Sequence, residues 1–361
     1  MNYQNKNIKV DHNAFIAALN QRVVIIAEIS CNHLQNYDLA VKSIEAIAKS
    51  GADAVKMQLF TPDTITIKAD NEHFQIKSDT IWDGMTLYDL YKDAYTPWEW
   101  LPKLQKIAHK LGLFFFASAF DPTAVVFLEK MHVPAHKVAS FEIHDLPLIK
   151  QMAQTKKPIL ISTGIAEKKD IAAAIETCYK AGNREVVVLK CTSEYPTPLE
   201  DVNLAVLPKM AKEFGVKTGL SDHTTGLTVP VAAVALGACV IEKHFILDTT
   251  MKSFDKQFSL DGSAFSILVK NIRDTEKFLG SPTYDLTAKQ MKSRRLGRSL
   301  FVVNTIKKGE LFTDENVRSI RPAAGLPPIE ISQILNRHSA QDIEKGTPLS
   351  WSLVADLSLK N

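Results

Sequence analysis

Two histidines, His223 and His244, each close a short apolar run, in GLSDH and VIEKH. Two lysines interrupt apolar runs elsewhere, Lys56 in AVKMQLF and Lys137 in AHKVASFE. Neutral imidazoles suit Mn, Fe, Co or Zn, and a site with few protein ligands leaves positions for water and substrate. On spacing alone, two hydrogen-bonded core histidines account for the pair equally well. The lysines say more, because a buried ammonium group is costly unless an anion accompanies it. Alternation along a strand puts Lys56 and Gln58 on one face. Together with Ser118, Ser140, Ser193 and Ser221, two inward lysines make a cradle for a phosphate and a carboxylate.

These residues need a scaffold that brings the ends of many strands to one face. Apolar runs that read as strands occur at Val23–Ile29, Ala54–Phe60, Leu113–Phe120, His136–Ser140, Ile159–Thr163, Val186–Thr192, Val216–Ser221 and Cys239–Leu247. Segments of helical spacing follow them, such as Tyr37–Ser50, Pro97–Leu111 and Ser263–Leu279. A long interruption from Thr61 to about Thr96 is rich in Asp, Trp and Tyr. Eight strand–helix units over about 280 residues suit a closed (β/α)8 barrel, whose active face is formed by the C-terminal strand ends. A doubly wound sheet is the competitor, but AEISCNH after the first strand carries no Gly-rich dinucleotide fingerprint. In a barrel, nearly every strand here ends on polar residues: Glu28, Asn32 and His33, then Lys56 and Gln58, Ser118, Lys137 with Ser140 and Glu142, Ser162 and Thr163, Lys190 with Thr192, Ser193 and Tyr195, Ser221 through His223, and Glu242 through His244. Cys31 lies near His33, yet no partner for an acyl-transfer triad is evident.

The expected organisation is a catalytic barrel over residues 1–280, a polar linker over 281–296 and a small β-rich domain over 297–361, with turns at Lys308-Gly309 and Lys345-Gly346. A net charge of +3 gives no ground for nucleic-acid binding, since the one basic run (Lys292, Arg294, Arg295, Arg298) reads as a solvated face. The polar N-terminus MNYQNKNIKVDHN lacks the apolar core of a signal peptide, and no stretch has the length of a membrane span. Four scattered cysteines without CxxC spacing suggest neither a disulfide framework nor a zinc ribbon, so a reduced, cytoplasmic protein is expected.

The markers AEISCNH, DAVKMQLF, FASAF, HKVASFEI, ILISTG, KCTSEYPTP, GLSDHT and IEKHF, with KKGE and RSIRP near the C-terminus, resemble the sialic acid synthase family over nearly the whole chain. LYDLYKDAYTPWEW, preceded by IWDGMT, and Phe141 in SFEI are similar to the pseudaminic acid synthase branch. The resemblance implies an enzyme that condenses phosphoenolpyruvate with an amino sugar, built as a TIM barrel followed by an antifreeze-like (SAF) domain, in a domain-swapped homodimer. It implies a divalent metal, typically Mn2+, on His223 and His244. It implies phosphoenolpyruvate contacts from Lys56, Ser118, Lys137, Ser140, Ser193 and Ser221, and catalytic roles for Glu28, Lys56 and Lys137. Gln58, Glu142, Tyr195 and Asp255 fall on the sugar side, and Arg321 matches an arginine reaching the sugar of the neighbouring subunit. Two alternatives stay open: a synthase of neuraminic or legionaminic acid, and a Schiff-base pyruvate aldolase using a barrel lysine. Where the family carries a Gly-Gly-Pro-Asp-like turn, this chain reads Met251-Lys252-Ser253-Phe254-Asp255.

Overall fold

The computed structural model describes residues 10–77 and 83–355. Residues 1–9, Ile81 and Trp82 of IWDGMT, and the last six residues, all read above from sequence, lie outside the described residues. Strands β1 (Val24–Glu28), β2 (Ala54–Leu59), β3 (Phe114–Ala119), β4 (His136–Val138), β5 (Ile159–Ser162), β6 (Val186–Lys190), β7 (Lys217–Asp222) and β8 (Val240–His244) close into a barrel in sequence order. All pair in parallel, and β8 returns to β1 with Glu28 opposite His244. The expected (β/α)8 architecture is therefore the one observed. Several strands stop up to three residues short of the apolar run, because the last residues leave the ladder and turn. Ser140–Glu142, for example, is a 3-10 turn.

Local chemistry sets the helices between the strands. Helix Tyr37–Ser50 starts where Asn36 accepts from the Leu39 N–H, and ends at Gly51 with φ of 85°, a conformation that favours glycine. Asp121 caps helix Pro122–Lys130 by accepting from the N–H groups of Thr123 and Ala124. A helix not read from the polar N-terminal sequence, His12–Gln21, buries Phe15 and Leu19 at i, i+4 spacing. The Phe15 ring meets Phe114 and Phe116 edge-on, with centroids 5.1 and 5.8 Å away. Phe114 and Phe116 alternate onto the inner face of β3, so Phe15 plugs the base of the barrel. Burying that ring stabilises the closed base by about 2–3 kcal/mol.

The interruption after β2 holds two short helices, Pro62–Ile65 and Leu87–Ala94. It is tethered to the loop after β1. The Gln35 amide donates to the carbonyls of Lys92 (2.8 Å) and Tyr95 (3.3 Å), and His33 Nε2 lies 2.9 Å from Thr96 Oγ1. Burial lowers the His33 imidazole to about 4, which keeps it neutral.

The chain divides after Gly280 into two compact units. In the second, the segment 281–296 expected as a linker carries helix Ala288–Arg294, started by a reciprocal Thr287–Gln290 capping box. Strands β9 (Ser299–Val302) and β10 (Val317–Ile320) pair antiparallel, over a core of Leu300, Val302, Ile306, Phe312, Ile334 and Leu349. Gly309 and Gly346, at the two expected turns, have φ of 80° and 89°. No helix among the described residues is long and apolar enough to cross a membrane, and all four cysteines are free.

Candidate active site

Residues directly paired across parallel strands point to the same side. The register sets Glu28 opposite Lys56, Gln58 opposite Ser118, Ser118 opposite Lys137, and Ser221 opposite Glu242. One polar ring therefore faces inward at the C-terminal end of the barrel. Above it opens a cavity of about 330 Å³.

The floor is a charged cluster cut off from water. Lys56 Nζ lies 2.6 Å from Glu28 Oε2 and 3.6 Å from Glu242 Oε1, and donates to Ser118 Oγ at 2.9 Å. Ser221 Oγ donates to Glu242 Oε1 at 3.1 Å. Burial pushes the Glu28 carboxyl up and, together with the neighbouring Glu242, outweighs the pull of Lys56. Burial disfavours the Lys56 ammonium, but the two carboxylates outweigh it and hold this lysine above its usual range. Glu242 feels the same burial, yet Lys56 and Lys137 keep it below its usual range. Glu28 does not itself line the cavity: Lys56 does, with Glu28 behind it.

Lys137 is different. It donates to Ser162 Oγ at 2.7 Å and to the Val138 carbonyl at 2.8 Å, and among the described residues no carboxylate makes an ion pair with it. Burial lowers its ammonium below the usual range. The Glu242 carboxylate acts on it only at a distance, and a buried cation whose hydrogen-bond partners are all neutral is a site awaiting an anion. Ser140 stands beside it, its Oγ accepting from the Gly164 N–H at 3.0 Å. Gly164 is there for space: a Cβ would overlap Ser193 Oγ and Ser193 N, and would come within 2.8 Å of Ser140 Oγ. Ser193 is thus joined to the same corner, although its residue lies outside the cavity lining.

His223 and His244 meet edge-to-face with ring centroids 5.3 Å apart. His223 Nδ1 lies 3.2 Å from the Thr192 carbonyl, which can only accept, so Nδ1 carries the proton and Nε2 keeps its lone pair. His244 Nδ1 lies 3.4 Å from Asp255 Oδ2, an arrangement that likewise directs Nε2 away from the carboxylate. Two imidazoles so oriented fit a cation that completes its shell with water and substrate. Among the described residues no group of three or more His, Cys, Asp or Glu side chains is arranged for a metal. Behind the pair, Lys243 and Asp222 form a fully buried 2.6 Å ion pair, with Lys243 also donating to the Thr224 carbonyl, which pins the ends of β7 and β8 together.

Asp255 reaches His244 despite the altered turn before it. Asn32 secures the loop by donating to the Phe245 carbonyl (2.8 Å) and to Ser259 Oγ (2.9 Å), and by accepting from Ser253 at 2.5 Å. Side-chain packing and Asn32 here do the work of a Gly-Pro turn. Burial opposes the charge on Asp255, but the His244 imidazole beside it outweighs that and holds the carboxyl low. The Tyr195 ring packs at a tilt against His223, with centroids 4.5 Å apart, and against Phe258 at 5.3 Å. Gln58 and Glu142 also line the cavity, and burial pushes the Glu142 carboxyl up to about 7. Arg321 stands exposed just after β10, in the second unit.

Three participants have no assigned role in the sequence reading, although Glu242 and Ser162 stand there among the polar strand-end residues. Glu242 was visible, since alternation back from His244 places it inward. Ser162 is one serine among many until Lys137 is seen to bond it. Cys191 lies 3.8 Å from His223 Nδ1; burial pushes its thiol up, but His223 outweighs that and brings it down to about 7.

Comparison with known proteins agrees with this geometry. Residues 43–284 match the NeuB family and residues 297–355 the SAF domain. A pseudaminic acid synthase of Campylobacter jejuni subsp. jejuni serotype O:23/36 (strain 81-176) is 43% identical over 92% of this chain and 96% of its own length. A pseudaminic acid synthase of Helicobacter pylori (strain ATCC 700392 / 26695) is 42% identical over 90% of this chain and 96% of its own. The crystal structure of an N-acetylneuraminic acid synthetase from Leptospira borgpetersenii superposes with a TM-score of 0.68 at 27% identity, covering 76% of this chain and 90% of that one. With a family model spanning most of the barrel and relatives this similar along nearly their whole length, the chain belongs to the NeuB family.

Proposed function

We propose that this chain carries out the pseudaminic acid synthase reaction, joining phosphoenolpyruvate to 2,4-diacetamido-2,4,6-trideoxy-L-altrose with water to give pseudaminic acid and phosphate. The observation that carries the reaction class is the buried Lys137 ammonium, hydrogen-bonded among the described residues only to neutral groups, beside a serine corner in a cavity that His223 and His244 also line. The two named relatives support the choice of sugar.

In this reading Lys137, Ser140, Ser162 and Ser193 receive one anionic end of phosphoenolpyruvate, and Lys56, Ser118 and Ser221 the other. The phosphoenolpyruvate methylene carbon bonds to the sugar aldehyde carbon, and the cationic C2 so formed takes up water. Water gives one proton to the former aldehyde oxygen, which becomes a hydroxyl, and leaves a hydroxyl on C2. The bond from C2 to the phosphate oxygen then breaks, the C2 hydroxyl gives its proton to the departing phosphate, and a C2 ketone remains. The Glu28–Lys56 pair is placed to hold the proton that water gives up, since burial and mutual attraction bring two groups of very different basicity into one hydrogen bond. Gln58, Glu142, Tyr195 and Asp255 orient the sugar. His223 and His244 would hold a divalent cation, with Mn2+ as our choice, which when bound supplies Lewis-acid polarisation of a carbonyl oxygen. A homodimer in which Arg321 approaches the neighbouring subunit's sugar completes the proposal.

Phosphate release from phosphoenolpyruvate, measured across diacetamido-trideoxy hexoses and N-acetylmannosamine with and without chelator, tests it. Release is expected with the L-altrose sugar and loss of release with chelator. Covalent trapping of pyruvate by borohydride on Lys56, Lys137 or Lys190, insensitive to chelator, would instead make the chain a Schiff-base aldolase. A second test addresses the serine corner. Gly164→Ala is expected to raise the Michaelis constant for phosphoenolpyruvate at least tenfold, because the new methyl displaces Ser140 and Ser193. An unchanged constant would remove those serines from the binding site.

A further inference from the structure

The reaction as derived uses only the polar part of the cavity. Part of the remaining lining is a continuous apolar stretch: Phe60, Ile65, Leu90, Tyr91, Ala94 and Phe120. Phe60 and Phe120 come from the loops after β2 and β3, whereas Leu90, Tyr91 and Ala94 come from helix Leu87–Ala94 in the long interruption. Phe60 is the centre of this wall, edge-on to Tyr91 at 5.4 Å and to Phe120 at 5.2 Å. Leu90 and Ala94, at i, i+4, present one helical face beside them.

The wall is a built surface. Trp98 Nε1 donates to the Phe60 carbonyl at 3.1 Å, and Thr86 caps the helix by accepting from the Asp89 N–H. Tyr88 donates to Asp63 at 3.2 Å, and the His33–Thr96 contact fastens the far end of the segment. Glu142 borders the wall near enough to influence Tyr91, and burial that raises its carboxyl agrees with an apolar surround.

A rigid aromatic and aliphatic wall accepts a methyl group at a gain, but strips water from a hydroxyl without returning a hydrogen bond. The sugar of the proposed reaction differs from N-acetylmannosamine in this respect. Beyond the reacting aldehyde it carries a methyl at C6 and an acetamido methyl at C4, where N-acetylmannosamine carries hydroxyls. We infer that Phe60, Leu90, Tyr91 and Phe120 form the specificity wall that selects methyl-bearing over hydroxylated amino sugars. The inference rests on the proposed condensation, and its ligand chemistry is a methyl group that either C6 or the C4 acetamide can supply.

The test compares kcat/KM for the 2,4-diacetamido-2,4,6-trideoxy sugar with its 6-hydroxy and its 4-hydroxy analogues, in the wild type and in Leu90→Ala and Tyr91→Ala. The wild type is expected to favour the methyl-bearing sugar by about ten- to 200-fold in at least one arm. Each variant is expected to reduce that ratio at least fivefold. Collapse in the 6-hydroxy arm assigns the wall to the C6 methyl, and collapse in the 4-hydroxy arm assigns it to the acetamide. Saturation by phosphoenolpyruvate, followed by thermal shift, reports in each variant that the polar floor is assembled. Ratios within twofold of wild type in both variants, with phosphoenolpyruvate still bound, overturn the wall and leave the reaction standing. Absence of phosphate release from the wild type with every sugar overturns the reaction, and the wall with it.

Discussion

Replacing Lys137 by methionine is expected to raise the Michaelis constant for phosphoenolpyruvate at least a hundredfold while leaving the ligand-free protein as stable as before, or more stable. The two halves of this result have one cause. Lys137 is buried, its ammonium is disfavoured by that burial, and it donates hydrogen bonds to a hydroxyl and a carbonyl. Replacing such a charge with an apolar side chain of similar length relieves a desolvation cost, so unfolding should not become easier. The same charge is what an incoming phosphate or carboxylate pairs with. A hundredfold loss corresponds to about 2.7 kcal/mol, the scale of one charge-assisted contact in a dry site. Thermal midpoints with and without phosphoenolpyruvate separate the effects: the ligand should stabilise the wild type and not the variant. A variant that loses more than about 2 kcal/mol of stability but keeps its Michaelis constant would make Lys137 a structural group.

Glu28→Gln is expected to lower kcat by about 10²–10⁴-fold, the range seen when a positioned proton carrier is removed. Its effect on the Michaelis constant for phosphoenolpyruvate should be no more than a few-fold, because Lys56 keeps Glu242 at 3.6 Å and Ser118 at 2.9 Å. The split matters because Glu28 reaches the cavity only through Lys56. If its work were to position that lysine for anion binding, the variant would show a raised Michaelis constant with kcat spared. Steady-state phosphate release with both substrates varied distinguishes the two, and full turnover in the variant would remove Glu28 from the reaction altogether.

What could be read from the sequence was whatever breaks an apolar strand. Lys56, Lys137, His223 and His244 stand out because burying them is costly, and alternation alone puts Lys56 with Gln58 and Glu242 with His244. The closed barrel followed from eight such strands and the helical spacing between them. The serines carry no such mark, and Ser162 became a partner only once the register placed β4 beside β5. Helix His12–Gln21 is short and follows a polar stretch, and only Phe15 and Leu19 of it are buried, so its periodicity gives little signal. Helix Ala288–Arg294 went unread because none of its residues is buried. The aromatic wall was beyond reach for the opposite reason. An apolar residue facing a cavity and one facing the core have the same composition, and only the fold tells Phe60 from Phe116.

The tether between the loop after β1 and the long interruption has an evolutionary consequence. The groups that handle anions and protons ride on strand interiors, where the register of eight neighbours fixes them. The helix bearing Leu90 and Tyr91 is an outlying segment between β2 and helix Leu101–Lys110, moored through His33 and Gln35. Lineages can therefore rewrite that segment, changing which sugar is welcomed, while the inherited machinery beneath it stays untouched. Such a separation would let sugar preference change without disturbing the strand-borne machinery.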